Sequence, residues 1–330
     1  MGVSIGAQVG RNKEYLNAVH NLGETVVKRS FSPWVWSDFV FYKTSMGKEF
    51  KSDLNILHSM TRNVINERKT NILQKRTEFK SEETDDSNEN NIYLSNKNKK
   101  RMAFLDLLLD YHIDNNSLSL EDIREEVDTF MFEGHDTTAV SLAWTLFLLG
   151  HHPDVQLRIQ EELDAIFDND RDREMTPEDL KRMQYLECVI KESLRLFPSV
   201  PLIGRTLTED MKTEDYVIPK GTIVYLYIER LHSDPQVFPD PLEFKPERFQ
   251  ENTSSNINAY TYVPFSAGPR SCIGKRFALN EEKIILSKIF LNFNLKSLDP
   301  RDRIISSQEM IYRAKSPLRV QIIPKEDFKL

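Results

Sequence analysis

Three observations predict a mostly α-helical fold with a small β portion. Apolar residues recur at helical spacing through most of the 330 residues, most continuously over residues 119–150. Nine of the 15 prolines crowd between residues 198 and 269, which predicts a long irregular segment in place of regular elements. Short alternating stretches occur only late, at residues 216–219 and 222–227 and again from residue 304 onward, with 318–323 the clearest strand.

Composition sets the outer limits. A 330-residue chain that is 39% hydrophobic can bury a large core, in one big domain or two smaller ones. With 44 basic and 51 acidic side chains the formal charge is −7, so there is no electrostatic footprint for nucleic acid. Two cysteines, Cys188 and Cys272, with no Cys-x-x-Cys pair, argue against a disulfide-stapled secreted protein and against a zinc cluster. The start, Met1-Gly2-Val3-Ser4, holds no long apolar run, and Gly6 breaks the myristoylation pattern. The most apolar stretch, residues 139–150, is too short to span a bilayer.

Taken in order, residues 14–70 predict two or three helices, with start signals at Ser32-Pro33 and Ser37-Asp38. Between them lie Phe31, Trp34, Trp36, Phe39, Phe41 and Tyr42, a density of aromatics expected in a core rather than on a membrane-facing or substrate-facing surface. Residues 78–101 are charged and asparagine-rich, and predict a mobile surface loop. An amphipathic helix resumes over 103–111. The run over 119–150 opens on Ser119 with Asp122 three residues on, a helix start, and at ~1.5 Å per residue it spans roughly 45 Å. Its apolar middle is interrupted by Glu133-Gly134-His135-Asp136-Thr137-Thr138, and Glu133 and Thr137 share a face at i, i+4. A polar break there marks either a functional turn or a solvent-facing kink. His135, His151 and His152 lack a metal-ligand spacing and predict surface or capping roles. Pro153 opens a helix over 153–167, Thr176 caps another, and a third runs over 185–197. Within it Glu192 and Arg195 are neighbours at i, i+3.

The stretch that organises the chain is residues 265–274, a glycine- and proline-bounded loop presenting Cys272 and opening at once into a helix from Ile273 to about Phe290. Unpaired N–H groups at a helix start favour negative charge, so sulfur there suits a nucleophile, a disulfide or a metal ligand. A lone cysteine is otherwise a small buried hydrophobe. Phe265, Gly268, Arg270, Cys272 and Gly274 complete the pattern Phe-x-x-Gly-x-Arg-x-Cys-x-Gly, which resembles the haem-binding loop of the cytochrome P450 monooxygenases.

The resemblance implies a cytochrome P450 fold, read as one partial domain over residues 1–330 that lacks the N-terminal part, as in an incomplete gene model or a truncated product. It implies haem b as cofactor, with Cys272 the metal ligand, Arg270 and Arg205 at the propionates, and Phe265, Gly268 and Gly274 lining the ring; a thiolate ligand favours O–O cleavage. The break in the long helix is similar to the family's oxygen-activating motif, implying a proton relay through Asp136 and Thr137. Glutamate at 133 resembles the fatty-acid ω-hydroxylase branch, family 4, where that residue can be esterified to the haem. Glu192 and Arg195, joined by Arg248 of Pro246-Glu247-Arg248-Phe249, would form a buried structural ion pair. The family further implies a small apolar substrate such as a fatty acid, and electrons from NADPH through NADPH-cytochrome P450 reductase, with cytochrome b5 as an accessory carrier. It also implies membrane association on the cytosolic face of the endoplasmic reticulum for the full-length protein. Lys275, Arg276 and Lys283 are the expected basic face for the reductase, and the strands at 216–227 are expected to lack their usual partners. A non-catalytic haem-binding remnant and, absent any supporting motif, a cysteine hydrolase are the competing readings.

Overall fold

Helical periodicity resolves into ten α-helices among the described residues of the computed structural model, which are 12–82, 102–115, 117–168, 170–251, 257–308 and 310–325. Contacts divide the chain into two compact units, Met1–Glu133 and Gly134–Leu330.

The first unit is built from α1 (Lys13–Ser30), α2 (Asp38–Phe41), α3 (Ser45–Glu82), α4 (Phe104–Asn115) and the opening turns of α5 (Leu120–Leu149). Four of them build its core: Tyr15 and Val19 from α1, Ile65 from α3, Leu105 and Leu109 from α4, and Ile123, Val127 and Met131 from α5. These spacings of four are the i, i+4 rows of a helix face, and each fully buried aliphatic side chain contributes about 1.5–3 kcal/mol. A charged ladder flanks the stripe, with Arg68 on Asp106 (Nη2–Oδ2 2.7 Å) and Arg76 on both Asp110 (2.7 Å) and Asp114. Helix α3 continues to Glu82, past the start of the expected charged loop at 78; the rest of that loop lies outside the described residues.

The aromatic cluster departs from expectation. Only Phe41 is buried, whereas Phe31 (72%), Trp34 (73%), Trp36 and Phe39 are largely exposed. The cause is local: a 3₁₀ turn over Pro33–Val35 and a four-residue α2 can turn only one aromatic inward. Trp36 spends its indole N–H on the carbonyls ending α1 (3.1 and 3.2 Å), while Ser32 and Ser37 sit at the two starts without a side-chain cap bond.

The second unit contains the larger core. Leu148 and Leu149 from α5 pack with Ile159 and Leu163 of α6 (Pro153–Phe167), Leu186, Val189 and Ile190 of α8 (Gln184–Leu196), and Leu286 and Phe290 of α10 (Lys275–Asn292). Helix α7 (Pro177–Arg182) starts on a complete capping box, Thr176 with Asp179, and Arg173 holds the Asp179 carboxyl well below the usual range. Ser119 and Asp122 form the same reciprocal cap at the start of α5 (3.1 and 2.8 Å).

Among the described residues the sheets are four antiparallel ribbons. Strand β1 (Leu202–Thr206) pairs with β4 (Ile223–Tyr227), and β2 (Met211–Lys212) with β3 (Val217–Ile218). The proline-rich segment is therefore not wholly irregular: the strands at 216–227 pair with strands from just upstream in two-stranded ribbons, and among the described residues each keeps one edge without a neighbouring strand. Strand β5 (Phe293–Ser297) pairs with β8 (Val320–Pro324), and β6 (Ser306–Gln308) with β7 (Tyr312–Ala314). A short α9 (Ile228–Leu231) follows β4.

Candidate functional site

The cysteine loop is held by its own backbone. Cys272 N–H donates to the Phe265 carbonyl (2.9 Å), closing a turn around a 3₁₀ segment at Gly268–Arg270, and Ser271 N–H donates to Gly268 (3.0 Å). Gly268 has φ +75°, a conformation glycine adopts freely, and Ser266 tolerates φ 60°. Gly274 is the N-cap of α10, so Cys272 lies two residues ahead of the cap rather than on the first turn. The Cys272 thiol is exposed, whereas Cys188 is buried and its thiol is pushed up to about 11 by desolvation, which leaves it inert. Beside Cys272, Ile273 (84%) and Phe277 (67%) also face outward. Arg270 is exposed at the same loop, and Arg205 of β1 reaches it through Ser266 Oγ (3.4 Å) while donating to the Gly204 carbonyl (2.8 Å).

Below the loop, α8 carries a fully buried lock. Arg195 clamps Glu192 with two bonds of 2.8 Å, and Arg248 Nε approaches the same carboxylate at 3.3 Å. Lys245 N–H supplies a further bond to Glu192 (2.9 Å). The remaining Arg195 donors go to the carbonyls of His232, Pro241 and Glu243 at 2.8–3.0 Å. A buried ion pair persists only when its remaining hydrogen-bonding capacity is met, and here the surrounding backbone meets it. The lock continues upward: His232 Nε2 accepts from Val263 N–H (2.9 Å), and Tyr262 Oη donates to the Lys191 carbonyl (2.8 Å), two and three residues ahead of Phe265. Burial, reinforced by the Arg195 guanidinium, takes His232 down to about 4, so its imidazole is the neutral acceptor this bond needs.

On α5, Glu133, Gly134 and His135 are exposed, Asp136 is buried and Thr137 half-buried. The Asp136 carboxylate is ion-paired with Arg313 of β7, and the Thr137 carbonyl accepts from Ser199 Oγ (2.9 Å). The structure thus brings together Phe265, Gly268, Arg270, Cys272 and Gly274 with Arg205, and separately Glu192, Arg195 and Arg248. Ser199, His232, Lys245, Tyr262 and Arg313 were not found by sequence reasoning, and no spacing rule connects residues up to 177 positions apart.

The model of the family described as Cytochrome P450 matches residues 1–322. The chain belongs to the cytochrome P450 family. Among relatives, it is 44% identical over 328 residues to Cytochrome P450 4c3 of Drosophila melanogaster, covering 99% of this chain and 60% of that protein. It is 46% identical over 323 residues to Cytochrome P450 4V2 of Homo sapiens (98% and 60%), and 38% identical to Cytochrome P450 4c21 of Blattella germanica (98% and 62%). The numbering of these relatives agrees with the family-4 resemblance. The P450 chain spans about three fifths of the length of the relatives it matches.

The residues around Cys272 suit a haem. One accessible sulfur is available to iron, exposed Ile273 and Phe277 offer apolar surface to a ring, and two guanidinium groups offer partners for carboxylates. A Cβ built on Gly268 or Gly134 meets nothing within 4 Å, so both backbones border open space. The expected basic face is smaller than predicted. Lys283 is buried, bonding Glu187 (2.7 Å) and the Leu180 carbonyl (2.9 Å), because its position on α10 turns it toward α8; Lys275 and Arg276 alone remain exposed.

Proposed function

We propose that this chain carries the haem-thiolate site of a monooxygenase that inserts one atom of O2 into a small apolar substrate such as a fatty acid, the other leaving as water. The observation that carries the reading is Cys272 presented, accessible, on a self-closed loop between Phe265 and Gly274. Bound haem would supply an iron able to activate dioxygen once two electrons arrive from NADPH through NADPH-cytochrome P450 reductase or, for one of them, cytochrome b5. Cys272 Sγ would hold the iron, Arg205 and Arg270 the propionates, and the Asp136 carboxylate with the Thr137 hydroxyl would pass protons inward. The lock of Glu192, Arg195 and Arg248 keeps the loop in place and takes no part in chemistry.

Finer readings rest on the resemblance to family 4. Glu133 would be esterified to a haem methyl in a two-electron oxidation, with hydrogen peroxide as the oxidant taking up one hydrogen from each partner and leaving as two waters, and haem that extracts freely from the acidified protein would refute this. Membrane association at the cytosolic face of the endoplasmic reticulum is a reading from the same resemblance; no helix among the described residues is long and apolar enough to cross a membrane. Lys275 and Arg276 would receive the reductase, so Lys275→Glu with Arg276→Glu slows haem reduction and leaves haem content unchanged; an unchanged rate removes them from docking.

The carbon monoxide difference spectrum of the reduced chain tests the central reading. A thiolate-type Soret band in the parent, lost in Cys272→Ser, supports it. Absence of bound haem, or the same band in both proteins, overturns it for this chain.

A further inference from the structure

Asp136 sits within a closed ring of contacts that the proton-relay reading does not require. Ser199 Oγ donates to the Thr137 carbonyl (2.9 Å), and Tyr312 N–H donates to the Ser199 carbonyl (2.9 Å). The Tyr312 carbonyl in turn accepts from the buried indole of Trp144 (2.8 Å), two turns along α5 from Thr137. Stacking of Trp144 on Phe197 (centroids 3.9 Å, planes 1° apart), with Tyr312 next in the stack, fixes the same junction, and Tyr312 Oη is anchored on Glu229 (2.9 Å). The next residue is Arg313, whose guanidinium donates to Asp136 Oδ1. Backbone position at 312 is therefore set from both α5 and the segment after α8, and the Arg313 side chain is delivered to Asp136 by that frame.

We infer that Arg313 is a positioning residue for Asp136: it sets where the carboxylate lies and how freely it turns toward the Thr137 hydroxyl. The Asp136 side chain is 10% exposed and that of Arg313 30%, so the carboxylate is the more buried partner of the pair. An ion pair this sheltered is weakly screened, and removing one partner leaves the other charge uncompensated. Arginine is required over lysine only in part, because the contact needs a donor of the right reach and charge. The inference rests on the haem-thiolate reading for its consequence in turnover, but not for the coupling itself.

The coupling is measured on the full chain by urea unfolding of Arg313→Met, Asp136→Asn and the double variant. The expected result is non-additivity: the double variant loses no more in midpoint than the more damaging single variant. Additive losses overturn the inference. In the haem-loaded protein with reductase and NADPH, Arg313→Met keeps the thiolate-type band but releases several-fold more hydrogen peroxide per NADPH oxidised, and Arg313→Lys restores most of the coupling. A peroxide fraction equal to the parent's in Arg313→Met overturns the positioning role. If the parent shows no thiolate-type band, the haem-thiolate reading has failed and the unfolding cycle still decides whether Arg313 holds Asp136.

Discussion

Glu192 and Arg195 face one another across a single turn of α8 with both nitrogen–oxygen contacts at 2.8 Å, and neither side chain has any surface exposed to solvent. Breaking such a pair from one side leaves a buried charge with its hydrogen-bond partners stranded. Arg195→Met or Glu192→Gln is therefore expected to lower stability by about 3–5 kcal/mol. Arg195→Lys recovers little of this, because an ammonium cannot reach the carboxylate and three carbonyls together. Urea unfolding of the purified chain checks the magnitude, and a loss below about 1 kcal/mol, as for an exposed pair, contradicts it.

Glu282 on α10 is buried with one carboxyl oxygen lacking a protein hydrogen bond. Desolvation raises it to about 8, Ser141 pulling slightly the other way and Glu281 adding to the rise. The folded state then holds a proton that the unfolded chain, at the ordinary 4.5, has released. Stability falls as pH rises through the window from 4.5 to 8, with a limiting slope of about 1.4 kcal/mol per pH unit. Glu282→Gln removes that slope, so the variant matches the parent near pH 5 and exceeds it near pH 9. Parallel stability profiles for the two proteins would show that Glu282 does not titrate this way.

His232 works in the opposite sense. Its folded value, about 4, lies below the ordinary 6.5, so between these values the unfolded chain binds a proton the folded chain refuses. Stability is lost as pH falls from 6.5 toward 4, and protonation also removes the acceptor for Val263 N–H at the root of the cysteine loop. The expected readout is release of haem, or loss of the thiolate-type band, that tracks unfolding over this range in the parent. In His232→Gln, whose amide oxygen stays an acceptor, the acid limb is shallower; an unchanged limb contradicts the assignment.

Gly268 carries φ +75° with nothing within 4 Å of an added Cβ. Gly268→Ala is thus opposed by backbone conformation alone, and costs about 1 kcal/mol. Differential scanning calorimetry checks the small loss. A collapse of the fold in Gly268→Ala would mean that crowding, and not φ, dictates glycine there.

Much of the architecture was legible because it is local. The caps at Ser119 and Thr176, Pro153 at the head of α6 and the i, i+3 spacing of Glu192 and Arg195 are all written within one turn of chain. The cysteine loop was legible as an ordered pattern, although Gly274 rather than Cys272 proves to be the cap. Burial was harder to read. Phe31, Trp34 and Phe39 are as apolar as any core residue, yet the short turns that carry them face them outward. Lys283 looked like surface charge and is buried against Glu187. Neither β1 nor β2 was expected among so many prolines, because pairing with β4 and β3 is a tertiary event. Arg313, the partner of Asp136, is out of reach of any periodicity.

Arg195 grips the segment following β4 through the carbonyls of His232, Pro241 and Glu243, and Glu192 grips it through the amide of Lys245. Those contacts recognise the path of the main chain and ignore what hangs from it. Apart from Phe238, which is buried beside the Arg195 guanidinium, and Asp240, which holds φ 49°, the side chains from Ser233 to Leu242 are consequently freer to change than the number of residues is. A single deletion there shifts every carbonyl out of register with one guanidinium, so the stretch should tolerate substitution far better than any change of length.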